Sequence, residues 1–135
     1  MQLLRSIAAV VAGFGFMAST VMAGTMLASA LFVSSDATAR DPLPILYLAA
    51  NLVTNLLAAV FGGWLAARIG ASAPFGHAVA LAAITAVLSI GAVVQAPAAG
   101  QPAWYAVVVG VIGVAGVLAG GRLRASAAAP GAVVA

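Results

Sequence analysis

Four apolar stretches of membrane-spanning length occupy most of this sequence. They cover residues 6–33, 44–67, 75–94 and 103–121. A helix needs about 20 predominantly apolar residues to cross the hydrocarbon core of a bilayer, and each stretch meets that requirement. Charged residues make up only 5% of the chain, against about 25% in a typical soluble domain. Lipid is therefore the expected solvent for most of the chain.

The connections between the apolar stretches are short, and this predicts how the helices are ordered. Open sheet edges are not tolerated in lipid, so the spans are expected to be helices. We predict an all-α integral membrane protein, a four-helix up-down-up-down bundle within residues 1–121. Pro44 and Pro102 stand where the second and fourth helices begin, a position at which a missing backbone N–H has no cost. Residues 122–135 are predicted to be a short disordered cytoplasmic tail.

The first apolar stretch has two interpretations. "MQLLR" followed by an apolar run and by "VMAG" or "ASAL" is also typical of a cleaved secretory signal. The apolar run continues past both small-residue sites, which favours an uncleaved helix.

The arginine positions predict the orientation in the membrane. Arg5, Arg68, Arg122 and Arg124 would share one side, and Arg40 would lie alone on the other. Positively charged residues accumulate on the cytoplasmic side of membrane proteins. We therefore expect a multi-pass membrane protein with the N- and C-termini in the cytoplasm.

A weak internal repeat relates the second and fourth stretches. Five residue pairs share one offset of about 58 positions: Pro44 and Pro102, Tyr47 and Tyr105, Gly62 and Gly120, Gly63 and Gly121, Leu65 and Leu123. One interpretation is a pair of duplicated helical hairpins. The other is independent placement of proline, tyrosine and glycine at positions that membrane helices commonly use.

Two amides near the middle of the second stretch are the most unusual residues of the chain. An amide that faces lipid would be unsatisfied, so Asn51 and Asn55 are expected to point into the bundle or towards a partner. Either they are interhelical contacts, or they line a path for a solute. The polar residues with which they are grouped are Thr54, Thr85 and Ser89, and the candidate partners also include Ser19, Thr20 and Thr25.

Small residues recur on at least one face of every predicted helix. In lipid, such faces allow close approach of two backbones and mark packing surfaces. The glycines expected to pack are Gly63, Gly113, Gly116 and Gly120. The chain is therefore expected to form a compact bundle and to associate further, as a homo-oligomer or with a larger membrane-protein partner.

Few groups in this sequence could carry catalysis or hold a cofactor. Cysteine is absent, and the single histidine, His77, has no carboxylate on its side of the membrane. No carboxylate lies within any span, whereas small multidrug-resistance transporters depend on a glutamate in their first helix. The sequence pI of about 10.8 comes from arginines at span ends, so no nucleic-acid partner is expected. We predict no enzyme activity, no cofactor and no metal.

Several motifs together resemble a recurrent type of small bacterial inner-membrane protein. The second helix leaves the membrane through "FGGWLAARIG", and "PFGHAVAL" opens the third. The fourth begins with a P-x-W-Y motif and ends with "GGRLR". The resemblance implies four spans and a bacterial inner membrane, and it implies no activity.

The sequence thus leaves two hypotheses about function. The first is a non-enzymatic structural or accessory subunit that packs through small-residue helix faces. The second is a small oligomeric channel or carrier for a neutral or weakly polar solute, lined by Asn51 and Asn55.

Overall fold

The described residues form four α-helices that are each long and apolar enough to span a membrane. The computed structural model describes residues 1–38, 41–70, 72–98 and 100–128. The helices are α1 (Gln2–Phe32), α2 (Ile45–Ile69), α3 (Pro74–Gln95) and α4 (Ala103–Ala128). This confirms the predicted all-helical fold class, and the chain has the architecture of a multi-pass membrane protein. Arg40 and residues 129–135, which entered the predictions above, lie outside the described residues.

The helix ends agree with the predicted spans to within two residues, except at the start of α1, which lies at Gln2 instead of residue 6, and at the end of α4. Pro44 caps the start of α2, and Pro74 occupies the first turn of α3. The predicted end of the fourth helix at residue 121 was wrong, and so was the disordered tail over residues 122–128, because α4 continues to Ala128. The segment RLRASAA consists mainly of alanine, leucine and arginine, which are strong helix formers. Hydropathy marks where the apolar residues stop, and a helix does not have to end there.

The three connections between the helices and the chain direction define two ends of the bundle. The terminal end holds the first residues of α1 and α3 and the last residues of α2 and α4. The hairpin end holds the α1–α2 and α3–α4 connections. Since the chain reverses at each connection, α2 and α4 run parallel to each other.

Helix α2 lies at the centre of the packing. It packs extensively against both α1 and α4, and α3 packs mainly against α4. Helix α3 makes lesser contacts with α2 and α1, whereas α1 and α4 do not pack against each other in the described part of the chain. Around the bundle the helices therefore follow the order α1, α2, α4, α3.

Glycine makes the contact between α2 and α4 close. A methyl group on Gly63 would overlap the carbonyl oxygen of Val117, and one on Gly120 would overlap the carbonyl oxygen of Val60. These two contacts are reciprocal, since each helix offers a glycine to the backbone of the other. Gly116 of α4 faces the side chain of Ala59 of α2. Close backbone approach of this kind gives the van der Waals packing on which helix association in lipid depends.

The glycine pairs of the internal repeat do not occupy equivalent places. In α2, Gly62 packs against α1 and Gly63 against α4. In α4, Gly120 packs against α2 and Gly121 against Ala78 of α3. Gly62 therefore contacts α1, the other helix of its own hairpin, whereas its counterpart Gly120 contacts α2, a helix of the other hairpin. Aligned glycines of the repeat face different neighbours, and consecutive glycines in a helix point in directions about 100° apart.

Helix α1 is the most exposed of the four. Its buried residues are Ala9, Gly13 and Ala28, and most of its large apolar side chains face outwards. An exposed apolar surface of this extent would be unstable in water and is compatible with lipid.

Candidate functional site

Asn51 connects α1 to α2 across the bundle. Its side chain is 3% exposed. The Thr25 hydroxyl on α1 donates a hydrogen bond to Asn51 Oδ1 at 2.6 Å, and Asn51 Nδ2 donates to the carbonyl oxygen of Tyr47 at 3.0 Å. Of the candidate partners in the sequence, Thr25 is the one that makes this interhelical bond. Asn51 therefore contributes to helix packing.

Asn55 lies one turn further along the same face and is less buried. Asn55 Nδ2 donates to the carbonyl oxygen of Asn51 at 2.8 Å. No described residue donates a hydrogen bond to Asn55 Oδ1. Because residues four apart share a helix face, Tyr47, Asn51 and Asn55 form one polar stripe on α2.

Of the remaining polar residues, the α3 pair lies beside this stripe and Thr54 lies apart. The Ser89 hydroxyl donates to the carbonyl oxygen of Thr85 at 2.7 Å, and Thr85 donates to that of Leu81 at 2.9 Å. Thr54 donates to the carbonyl oxygen of Ala50 at 2.9 Å and faces Gly24 of α1. Ser19 and Thr20 line a separate surface groove with Thr54.

The polar stripe borders two adjoining cavities between the four helices. One has a volume of about 190 Å³ and contacts Tyr47, Asn51, Asn55 and Ser89; the other, of about 240 Å³, contacts Asn55, Thr85 and Ser89. They share five lining residues, which are Val21, Asn55, Ser89, Ala92 and Val109. We call this combined space the polar groove.

The groove is closed towards the terminal end. There Leu81 and Val117 are fully buried, with Ala59, Ala66 and Ala78 around them. A methyl group on Gly13 of α1 would lie 2.9 Å from Leu81 Cδ2, so α1 and α3 meet at that level. The groove in one copy of the chain therefore ends within the bundle.

Three polar residues that line the groove, Tyr47, Gln101 and Tyr105, were not assigned to it from the sequence. Tyr47 and Tyr105 are 9% and 6% exposed, and Gln101 lies at the hairpin end. Gly100, with φ of 68°, permits the turn that brings Gln101 over the groove. The spacing of four between Tyr47 and Asn51 was the signal available in the sequence.

Charged side chains lie outside the groove. At the terminal end, Arg5 Nε donates to the carbonyl oxygen of Ile69 at 3.2 Å, and the guanidinium carbons of Arg68 and Arg122 lie 5.0 and 5.6 Å from the ring centroids of Trp64 and Phe75. Such cation–π contacts place arginine beside an aromatic ring near the ends of the spans.

At the hairpin end, Asp41 accepts hydrogen bonds from the backbone N–H and the hydroxyl of Thr38 at 2.7 and 3.0 Å. These bonds favour the charged carboxylate and lower the pKa of Asp41.

His77 is held in place by contacts with Ala73 and Gly70. It is 9% exposed, and its Nδ1 lies 2.7 Å from the carbonyl oxygen of Ala73. The ring packs against Gly70, where any side chain would overlap it. Among residues 1–38, 41–70, 72–98 and 100–128, no group of three or more His, Cys, Asp or Glu is arranged to hold a metal ion.

No protein-family model matches this chain, and neither a curated protein nor a solved structure is significantly similar to it.

Proposed function

We propose that this protein is a non-enzymatic structural or accessory subunit of a larger assembly in the bacterial inner membrane. The observation that carries the proposal is the uncovered small-residue face of α1. Gly15, Ser19 and Ala23 are exposed and recur every four residues, and nothing lies within 4 Å of a methyl group placed on Gly15. Small residues at this spacing let a second helix approach closely. The other helical glycines described above already pack against helices of the same chain.

The distribution of charge supports an orientation with the terminal end in the cytoplasm. Arg5, Arg68, Arg122 and Arg124 are all near that end, whereas Asp36 and Asp41 are near the other. This arrangement agrees with the accumulation of positive charge on the cytoplasmic side.

Purification in mild detergent followed by native mass spectrometry tests the proposal. We expect a larger membrane protein, or a second copy of this chain, to co-purify in fixed stoichiometry. Gly15→Leu should abolish that association, because a branched side chain would keep the second helix away.

Gly91→Leu is the matched control for this experiment. Gly91, on α3, also has nothing within 4 Å of an added methyl group, so this variant should keep the partner. A monomeric mass with no associated protein would refute the proposal. Equal association of both variants would show that the α1 face is not the contact.

A second candidate function is a carrier for a small neutral solute, and the polar groove favours it. Because one copy is closed at the terminal end, transport would require either a conformational change or a path formed between copies. Light-scattering measurements of glycerol uptake by liposomes test it. Asn55→Leu should lower the uptake rate of a folded protein, and uptake equal to that of empty liposomes would exclude the carrier.

A further inference from the structure

We infer that the polar groove binds a small neutral molecule with a ring-sized apolar body and a hydrogen-bonding group, admitted from the bilayer between α1 and α3. The inference concerns the same space as the carrier hypothesis and does not depend on the accessory-subunit proposal. Binding and transport are measured separately, so either can fail without the other.

The groove offers polar atoms that the protein does not use itself. Tyr47 and Tyr105 are more than nine-tenths buried and line the same cavity, and neither hydroxyl has a hydrogen-bond partner in the described part of the chain. Asn55 Oδ1 is an additional acceptor beside them. Among the described residues no side-chain nitrogen or oxygen is both buried and without a hydrogen-bond partner, so these three oxygens are accessible and are free to bond to an occupant of the groove.

The lining of the groove selects a neutral ligand. Of the residues that the structure describes, no Arg, Asp or His lines either cavity. A charge moved from water into such a site would lose its hydration without gaining a counter-ion. A hydroxyl, carbonyl or amide group has no such loss, because the tyrosines and Asn55 can replace its bonds to water.

The volume and the apolar lining limit the size of the ligand. The cavity beside the tyrosines has a volume of about 190 Å³, and a cavity of roughly 150 Å³ is enough for a benzene molecule. Val21, Ala92 and Val109 supply apolar contacts in both cavities. One six-membered ring with a single polar substituent therefore fits the space and its chemistry.

The groove opens towards lipid on the side between α1 and α3. These helices meet near Gly13 and Leu81. Closer to the hairpin end, the groove reaches the half-exposed side chains of Phe14 and Leu88. In the described part of the chain α1 packs only lightly against α3 and not against α4, so this side of the groove is the least covered. A molecule that partitions into the bilayer can reach the tyrosines without crossing the charged loops.

Fluorine NMR of the purified protein in detergent tests the inference with three probes of equal ring size. The probes are 4-fluorophenol, fluorobenzene and 4-fluorobenzoate, which differ in the polar group and its charge. We expect saturable binding of 4-fluorophenol, weaker binding of fluorobenzene and no saturable binding of 4-fluorobenzoate. Partition into detergent micelles is linear in probe concentration and is thereby separated from binding at a site.

Variants then assign the binding to the groove. Tyr47→Phe combined with Tyr105→Phe removes two hydroxyls and keeps both rings, so the fold is preserved. The Kd for 4-fluorophenol should rise by about fivefold or more, as the loss of two neutral hydrogen bonds implies. Thr54→Val removes one hydroxyl that lines neither cavity and should leave the Kd unchanged.

Three results would overturn the inference: linear uptake of all three probes, saturable binding of 4-fluorobenzoate as tight as that of the phenol, or an unchanged Kd in the double tyrosine variant. Saturable phenol binding without glycerol uptake would establish the site and exclude only the carrier.

Discussion

The hydrogen bond from Thr25 to Asn51 should stabilise the contact between α1 and α2 by a measurable amount. It is a 2.6 Å bond between two helices, and its acceptor is 3% exposed. Thr25→Val removes the hydroxyl and keeps the shape of the side chain, and Asn51→Ala removes the acceptor. The two single variants and the double variant form a thermodynamic cycle whose coupling energy isolates the bond.

The expected coupling energy lies between about 0.6 and about 1.7 kcal/mol. These values are the average and the maximum for interhelical hydrogen bonds within a membrane protein, where the unfolded state also finds polar partners. The short distance and the burial place this bond in the upper half of that range. Equilibrium unfolding in mixed micelles, followed by helical circular dichroism, gives the free energy of unfolding of each variant.

Thr54→Val is the control, because the Thr54 hydroxyl donates only within its own helix. Its coupling with Asn51→Ala should be close to zero. If the Thr25 and Asn51 variants are additive, the assignment of Asn51 as an interhelical contact is wrong.

Three further predictions concern the α2–α4 contact, the α1–α2 connection and the orientation. Gly120→Ala should lower the free energy of unfolding by about 1–3 kcal/mol, as overpacking does, because its methyl group would overlap the carbonyl oxygen of Val60. Gly91→Ala should be neutral or stabilising by up to about 1 kcal/mol; equal effects of both variants in the unfolding assay would contradict this. The lowered pKa of Asp41 means that its bonds to Thr38 stabilise the turn above the pKa of an unfolded aspartate. This contribution disappears as the pH falls through the folded pKa, so the protection factor of the Thr38 amide against exchange should fall there and show no such step in Asp41→Asn. A reporter fused to the α3–α4 connection should be active only outside the cytoplasm, and cytoplasmic activity would reverse the proposed orientation.

The helices themselves could be predicted because lipid imposes a simple requirement on them. Every backbone group within the bilayer must be bonded internally, so an apolar stretch of sufficient length is a helix. The end of α4 was missed because Arg122 and Arg124 end the apolar stretch without ending the helix. Charge and hydropathy indicate which residues lie in lipid, whereas helix propensity influences the residue at which the helix ends.

The arrangement of the helices was less accessible to sequence reasoning. Short connections predict which helices are consecutive neighbours, but they do not reveal that α4 packs beside α2. The glycine pattern was visible in the sequence, but a small residue does not indicate which helix packs against it. Gly62 packs against α1, whereas Gly120, its counterpart in the repeat, packs against α2.

The composition of the polar groove depends on that arrangement. Asn51 and Asn55 were identifiable as unusual in lipid, whereas Tyr47 and Tyr105 come together only because α2 and α4 are parallel neighbours. The internal repeat relates Tyr47 to Tyr105, but a shared offset in the sequence does not indicate that two residues line one cavity.

The parallel contact of α2 and α4 also has a consequence for biosynthesis. Gly63 and Gly120, which each receive the backbone of the other helix, are about 57 residues apart in the chain. At a translation rate of roughly 5–20 residues per second, Gly120 is synthesised about 3–11 s after Gly63. During that interval the α2 surface that will hold α4 has no partner from its own chain. Nascent α2 therefore exposes its glycine face to lipid, or to the insertion machinery, until the ribosome has completed the final span.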